Sequence, residues 1–148
     1  GTIDPLKIGE PERTQLNIWL QNEAPKAPAL FGRGIHPAAG ERMAEEQPAM
    51  HLLYRHIAEQ NAMLDVMKVG ARLMAARTRA PEELKGVACP ILFISGDEDV
   101  VIPPFAADAL ARIVPGTKVA HIPNAGHSTY FERPDAFNTI VTKFFDEL

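Results

Sequence analysis

Residues Ile91-Leu92-Phe93-Ile94, closed by Ser95-Gly96, are apolar without a break, and this constrains the chain more than any other stretch. A strand with one wet face alternates apolar and polar residues. An unbroken apolar run points instead to a strand covered on both faces, as in a parallel sheet. Parallel strands need a crossover, and a helix fits between Pro103-Pro104 and Pro115-Gly116, over residues 105–114. Thr117-Lys118-Val119-Ala120-His121-Ile122 then reads as a second, more polar strand nearer an edge. Pro134 opens a last helix with Phe137, Ile140, Val141, Phe144 and Phe145 on its apolar positions. The segment 81–148 is therefore expected to be a βαβα unit, preceded by a short helical turn at Pro81-Glu82-Glu83-Leu84.

Residues 1–80 differ in character. Glu10-Pro11-Glu12 has the make-up of a helix start, with Pro in the first turn and acids at the positive end of the dipole. The helix it opens, over 13–23, carries Leu16, Trp19 and Leu20 on one face. From Ala24 to Gly40 three prolines and three glycines predict a long irregular connection. A helix after Pro48 with Leu52, Leu53, Tyr54 and Ile57, and another over 62–77 with Leu64, Met67, Leu73 and Met74, complete a helical layer. Nothing in this half has the period of a strand, so no sheet is expected in it. Two parallel strands are too few for independent stability, and a doubly covered strand needs a neighbour on each side. The sheet is expected to be incomplete within these 148 residues.

Composition narrows the function classes. The formal charge is −4 and acids and bases are interspersed, without the clustered Lys and Arg of a nucleic-acid surface. No apolar run approaches the ~20 residues of a membrane span. The single Cys89 excludes an internal disulfide and suits a reducing compartment. The chain opens on Gly1, as a cut, matured or cloned end would, with no leader-like segment. These features lead us to expect a cytoplasmic protein with no membrane or nucleic-acid partner.

Two loops hold the chemistry. Gly96-Asp97-Glu98-Asp99-Val100-Val101-Ile102-Pro103 follows the apolar strand, and Asn124-Ala125-Gly126-His127-Ser128 follows the second. Both lie beyond the carboxyl ends of adjacent parallel strands, where open α/β sheets carry functional groups. An Asp on one loop can reach a His on the next, fix its tautomer and stabilise the imidazolium. Gly126 is expected to make the sharp turn before the His. Alone, an Asp-rich turn after a strand is an ordinary solvated turn.

The run from Pro90 to Asp99, followed by Ile102-Pro103, Ala125-Gly126-His127, Phe131-Glu132-Arg133-Pro134 and Phe137-Asn138, resembles the end of the α/β-hydrolase family. The likeness is specific over residues 87–148. It is weaker over 1–80, which resembles the helical cap such enzymes insert before their last two strands, with Gly1-Thr2-Ile3-Asp4-Pro5 resembling the exit from the strand that precedes that cap. It implies an α/β fold: the C-terminal portion of a hydrolase's parallel sheet, with a cap at 1–80 and a core segment at 81–148. It also implies that Asp99, three residues past the strand-ending Gly, is the catalytic acid and His127 the base, Asp97 and Glu98 being ordinary surface acids.

The family's nucleophile sits on a G-x-S-x-G elbow. None occurs here, and the only serines are Ser95, within the strand, and Ser128, beside the His. The resemblance therefore implies a nucleophile (Ser, Cys or Asp) upstream of Gly1 or on a separate chain, which would be this chain's partner. With it, the protein would hydrolyse an ester, lactone, amide or C–C bond of a small, largely apolar molecule, without cofactor or metal. An Asp nucleophile would turn the same His to epoxide or halide chemistry. A non-catalytic binding module is the alternative from another class.

The remaining polar candidates have plainer readings. His51 and His56 are off the i, i+4 spacing of a helical ligand pair, and with His36 and His121 they read as surface or packing residues. Cys89 reads as inert packing at the entrance of the strand. Trp19 and the methionines read as helix packing. Glu132 reads as structural, near the last helix's positive end.

Overall fold

The computed structural model describes residues 2–3, 9–60 and 66–148. In chain order the elements are β1 (Thr2–Ile3), α1 (Glu12–Asn22), α2 (Lys26–Gly32), α3 (Glu41–Glu46), α4 (Pro48–Glu59), α5 (Val66–Ala76), β2 (Arg77–Arg79), a 3₁₀ turn (Pro81–Gly86), β3 (Leu92–Gly96), α6 (Phe105–Ile113), β4 (Lys118–Ile122), α7 (Thr129–Glu132) and α8 (Pro134–Asp146).

The parallel unit predicted for the second half is present. Strands β3 and β4 pair in parallel, from Leu92 opposite Lys118 to Gly96 opposite Ile122. Helix α6 packs on both strands and α8 on β4. Among the described residues β3 has no neighbour on its other edge. That explains why Leu92, Phe93 and Ile94 are only half-buried although their unbroken apolarity suits full coverage.

The first half departs from expectation. It does carry a strand pair: β1, at the strand exit that the resemblance implies, runs parallel to the unforeseen β2, with Thr2 opposite Arg77 and Ile3 opposite Arg79. Strands of two and three residues are too short to show a period of two. The chain leaves this ladder at Ile3 and returns at Arg77, so the helical layer is a single excursion between neighbouring strands. Within 24–40, expected to be irregular, lies α2. Its prolines are harmless, because Pro25 caps the helix and Pro28 sits in the first turn, where backbone N–H groups have no helical acceptor.

Helix α4 buries a different side from the one its leucines suggest. Leu52, Leu53 and Ile57 are about half exposed (50%, 48% and 53%), whereas His51 is buried. Polar anchoring turns the helix. His36 N–H donates to His51 Nε2 at 3.2 Å, and Tyr54 Oη lies 2.8 Å from Ser128 Oγ. In α1 only Leu16 is buried, with Leu20 exposed and Trp19 intermediate. Leu64 lies outside the described residues. Cys89, expected to be packed, is exposed, because it precedes β3 and stands outside the ladder.

The core gathers Leu16, Leu30, Ile35, Ala39 and Met43 from the helical layer and Ala107, Ala109, Val114, Ile122 and Ala125 from the βαβα unit. No helix among the described residues is long and apolar enough to cross a membrane.

Candidate active site

The two predicted loops meet because of Gly96. A Cβ there would lie 2.1 Å from the Gly126 carbonyl oxygen and 2.3 Å from that of Ala125, closer than any side chain permits. The approach is then stitched by backbone. Asp97 N–H donates to Ile122 O at 3.2 Å, and Glu98 N–H donates to Ala125 O at 2.9 Å.

The three acids of the first loop separate cleanly. Asp99 is buried, 7% exposed. Its Oδ1 accepts the Val101 and Ile102 amides at 2.7 and 2.9 Å, and its Oδ2 lies 2.9 Å from His127 Nδ1. Asp97 is exposed and faces His121 Nδ1 at 3.3 Å, while Asp108 holds His121 Nε2 at 3.0 Å. Glu98 takes a two-pronged contact from Arg42, Nε at 2.9 Å and Nη2 at 2.6 Å. That arginine holds its carboxyl below the usual range. Of the acids singled out in sequence, only Asp99 is joined to His127.

A carboxylate can only accept, so the proton between Asp99 and His127 resides on Nδ1. In the neutral ring Nε2 is then the lone-pair nitrogen. The half-buried imidazole titrates above its ordinary value, chiefly through the Asp99 hydrogen bond. Burial opposes this, and the charges of Asp99 and Glu132 add to it. The arrangement is a base whose protonated form is stabilised and whose orientation is set from behind.

The turn before His127 is made elsewhere than expected. Asn124 takes the left-handed conformation, φ 58°, which Asn tolerates better than most residues. Gly126 instead lies close against Glu132 and Gly40. A Cβ on it would sit 3.2 Å from Glu132 Oε1 and 3.5 Å from Gly40 Cα.

Sequence reasoning undervalued Glu132. It closes α7, is 1% exposed, and accepts the Gly126 and Ser128 amides at 2.7 and 3.0 Å. Its one-turn spacing from Ser128 was the available signal, since that reach lets a carboxylate fold back on a loop. The helical layer also touches this loop. Ser128 N–H donates to Ala38 O at 3.0 Å, and Gln47 Nε2 donates to Glu132 O at 3.2 Å.

The other histidines are structural in their contacts. Ala38 N–H donates to His36 Nδ1 at 3.2 Å, and burial, with Arg55 adding, holds His36 and His51 below the usual imidazole range. Among the described residues no three His, Cys, Asp or Glu side chains are grouped to hold a metal ion.

The model of the "Alpha/beta hydrolase family" matches residues 3–140. The curated "Putative non-heme bromoperoxidase BpoC" of Mycobacterium tuberculosis (strain ATCC 25618 / H37Rv) is 39% identical over 71 residues, 48% of this chain and 27% of that protein. "Serine hydrolase BPHL" of Mus musculus is 34% identical over 58 residues, 39% of this chain and 20% of that protein. The crystal structure of BpoC superposes over 95% of this chain and 55% of its own, with TM-score 0.60 and 25% identity. The matches thus span about a quarter of the curated relatives' length and about half of that solved chain.

Proposed function

This chain belongs to the alpha/beta hydrolase family, and from that premise we propose that it supplies the acid and base, Asp99 and His127, to a nucleophile carried on an upstream segment or a separate chain. The observation that carries the reading is the 2.9 Å contact from His127 Nδ1 to Asp99 Oδ2, with Oδ1 locked by two amides.

As the nucleophile's oxygen bonds to the substrate's carbonyl carbon, its proton passes to His127 Nε2, and Asp99 steadies the imidazolium. The same proton then goes to the leaving alcohol or amine as its bond to that carbon breaks. Water attacks the acyl intermediate with Nε2 taking its proton, and the nucleophile departs reprotonated.

Two features support a small, largely apolar substrate. An open pocket of about 490 Å³ between the helical layer and the acid loop is walled by Trp19, Leu20, Phe31, Pro37, Val100 and Val101. A second, of about 230 Å³, opens beside Asp99 and His127 along β3 and α6. The name of a serine hydrolase among the relatives favours an ester- or amide-cleaving serine.

The test is labelling of the full protein with a fluorophosphonate, which phosphonylates a base-activated serine. The expected adduct lies on a serine outside residues 1–148, and His127→Ala abolishes it. An adduct on Ser95 or Ser128, or full labelling of His127→Ala, would overturn the reading.

A further inference from the structure

Glu132 is the most completely buried ionisable side chain among the described residues, and two backbone amides meet its carboxylate. Each carboxylate oxygen takes one backbone amide: Oε2 accepts Gly126 N–H at 2.7 Å and Oε1 accepts Ser128 N–H at 3.0 Å. The residues immediately before and after His127 are thus pinned by one carboxylate. Two glycines make the cradle. A Cβ on Gly40 would lie 3.1 Å from Oε2, and one on Gly126 would lie 3.2 Å from Oε1.

No cation among the described residues meets this carboxylate at ion-pair distance. Its neighbour Arg133 is drawn away, with Nη1 donating to Glu132's own carbonyl at 3.0 Å and Nη2 to Glu46 at 2.8 Å. The charged groups that act on Glu132 are Asp99 and Arg133, and Glu132 in turn acts on His127. Burial pushes Glu132 up, against the two amides that favour its charged form. A buried negative charge without a cation is costly. Besides Arg133, which acts on it from beyond ion-pair distance, the group within range that can become positive is the imidazole strung between its two amides.

We propose that Glu132 is a positioning residue for His127. Its carboxylate holds the loop so that Nδ1 meets Asp99, and its charge is the second one, behind Asp99, that stabilises the imidazolium during turnover. This rests on the reading of His127 as the base. A residue that only tied the loop would satisfy its amides equally well without any effect on the ring's titration, and that difference is measurable.

The experiment is Glu132→Gln in the full protein, read by NMR titration of the His127 ring and by steady-state kinetics. Gln keeps the volume and one acceptor but removes the charge. The His127 midpoint is expected to move to lower pH, and the acid limb of kcat/KM to move the same way. The turnover number kcat should fall on the order of tenfold to a hundredfold with KM within about twofold, as for a misplaced base. An unmoved His127 midpoint in a folded Glu132→Gln protein overturns the proposal.

Should the variant not fold, the wild-type protein decides. The Gly126 and Ser128 amide shifts report the titration of Glu132, and the His127 ring must respond in the same step. A ring indifferent to that step overturns the proposal equally. If instead His127→Ala leaves turnover intact, it is the reading of His127 as the base that fails, and the NMR titration still decides the coupling of Glu132 to His127.

Discussion

Replacing Asp99 by Asn changes one atom, and the structure determines which way the new amide must face. In the native site Oδ1 accepts two backbone amides at 2.7 and 2.9 Å, and Oδ2 faces His127 Nδ1 at 2.9 Å. An asparagine that keeps its oxygen on the amides aims its NH₂ at His127. The reverse orientation sets NH₂ against two N–H donors and orphans both, at about 1–3 kcal/mol each. Even the lower sum, about 2 kcal/mol, favours the first orientation roughly thirtyfold. Nδ1 must then accept, the ring's proton moves to Nε2, and Nε2 no longer has a lone pair for the nucleophile's proton. The corresponding change in serine proteases lowers kcat about 10⁴-fold, which is about 5.5 kcal/mol of barrier. We expect a loss of that order in Asp99→Asn, with the fold kept because both amides retain their acceptor. The assay is kcat on an activated ester with the full protein, alongside circular dichroism. Asp97→Asn, on an exposed acid that faces His121, should lose less than about tenfold. A loss under tenfold in Asp99→Asn, or equal losses in the two variants, would refute the tautomer argument.

Further outcomes follow from the same contacts. Because the folded protein holds the His127 pKa above its ordinary value, the acid limb of kcat/KM should lie at higher pH than for free imidazole, the rate rising as the ring deprotonates. The same shift makes a stability contribution that is complete below the unfolded pKa and lost as pH rises through the folded one; urea melts across that window check its sign. Gly96→Ala should destabilise by about 3 kcal/mol or more, since its Cβ would meet backbone oxygens at 2.1 and 2.3 Å that cannot yield as a side chain would; unchanged urea midpoints would contradict this. The 148-residue chain expressed alone should associate, because β3 has an unpaired edge among the described residues. A monodisperse monomer with a sharp two-state melt would contradict it.

The sequence alone determined the features that rest on local pattern. An unbroken apolar run ended by Gly96 is enough to place β3, and prolines at 48, 103–104 and 134 are enough to start α4, α6 and α8. These signals survive in one dimension because strand and helix periods, and proline's missing N–H, act within a few residues. The pairing of Asp99 with His127 was reachable too, through the order of two loops after two parallel strands and a family resemblance that picks among three neighbouring acids. Period could not indicate which side of α4 is buried, since the choice is made by His51 and Tyr54 bonding to residues 15 and 74 positions away. Nor could it find β1 and β2, which exist only because residues 2 and 77 are brought together. The same reason separates Gly96, Asn124 and Glu132 from their sequence readings. Which glycine is needed for room, which residue takes the left-handed turn and where a buried carboxylate points all depend on how closely two loops approach. That approach is set by packing of the whole molecule, and only the tertiary structure contains it.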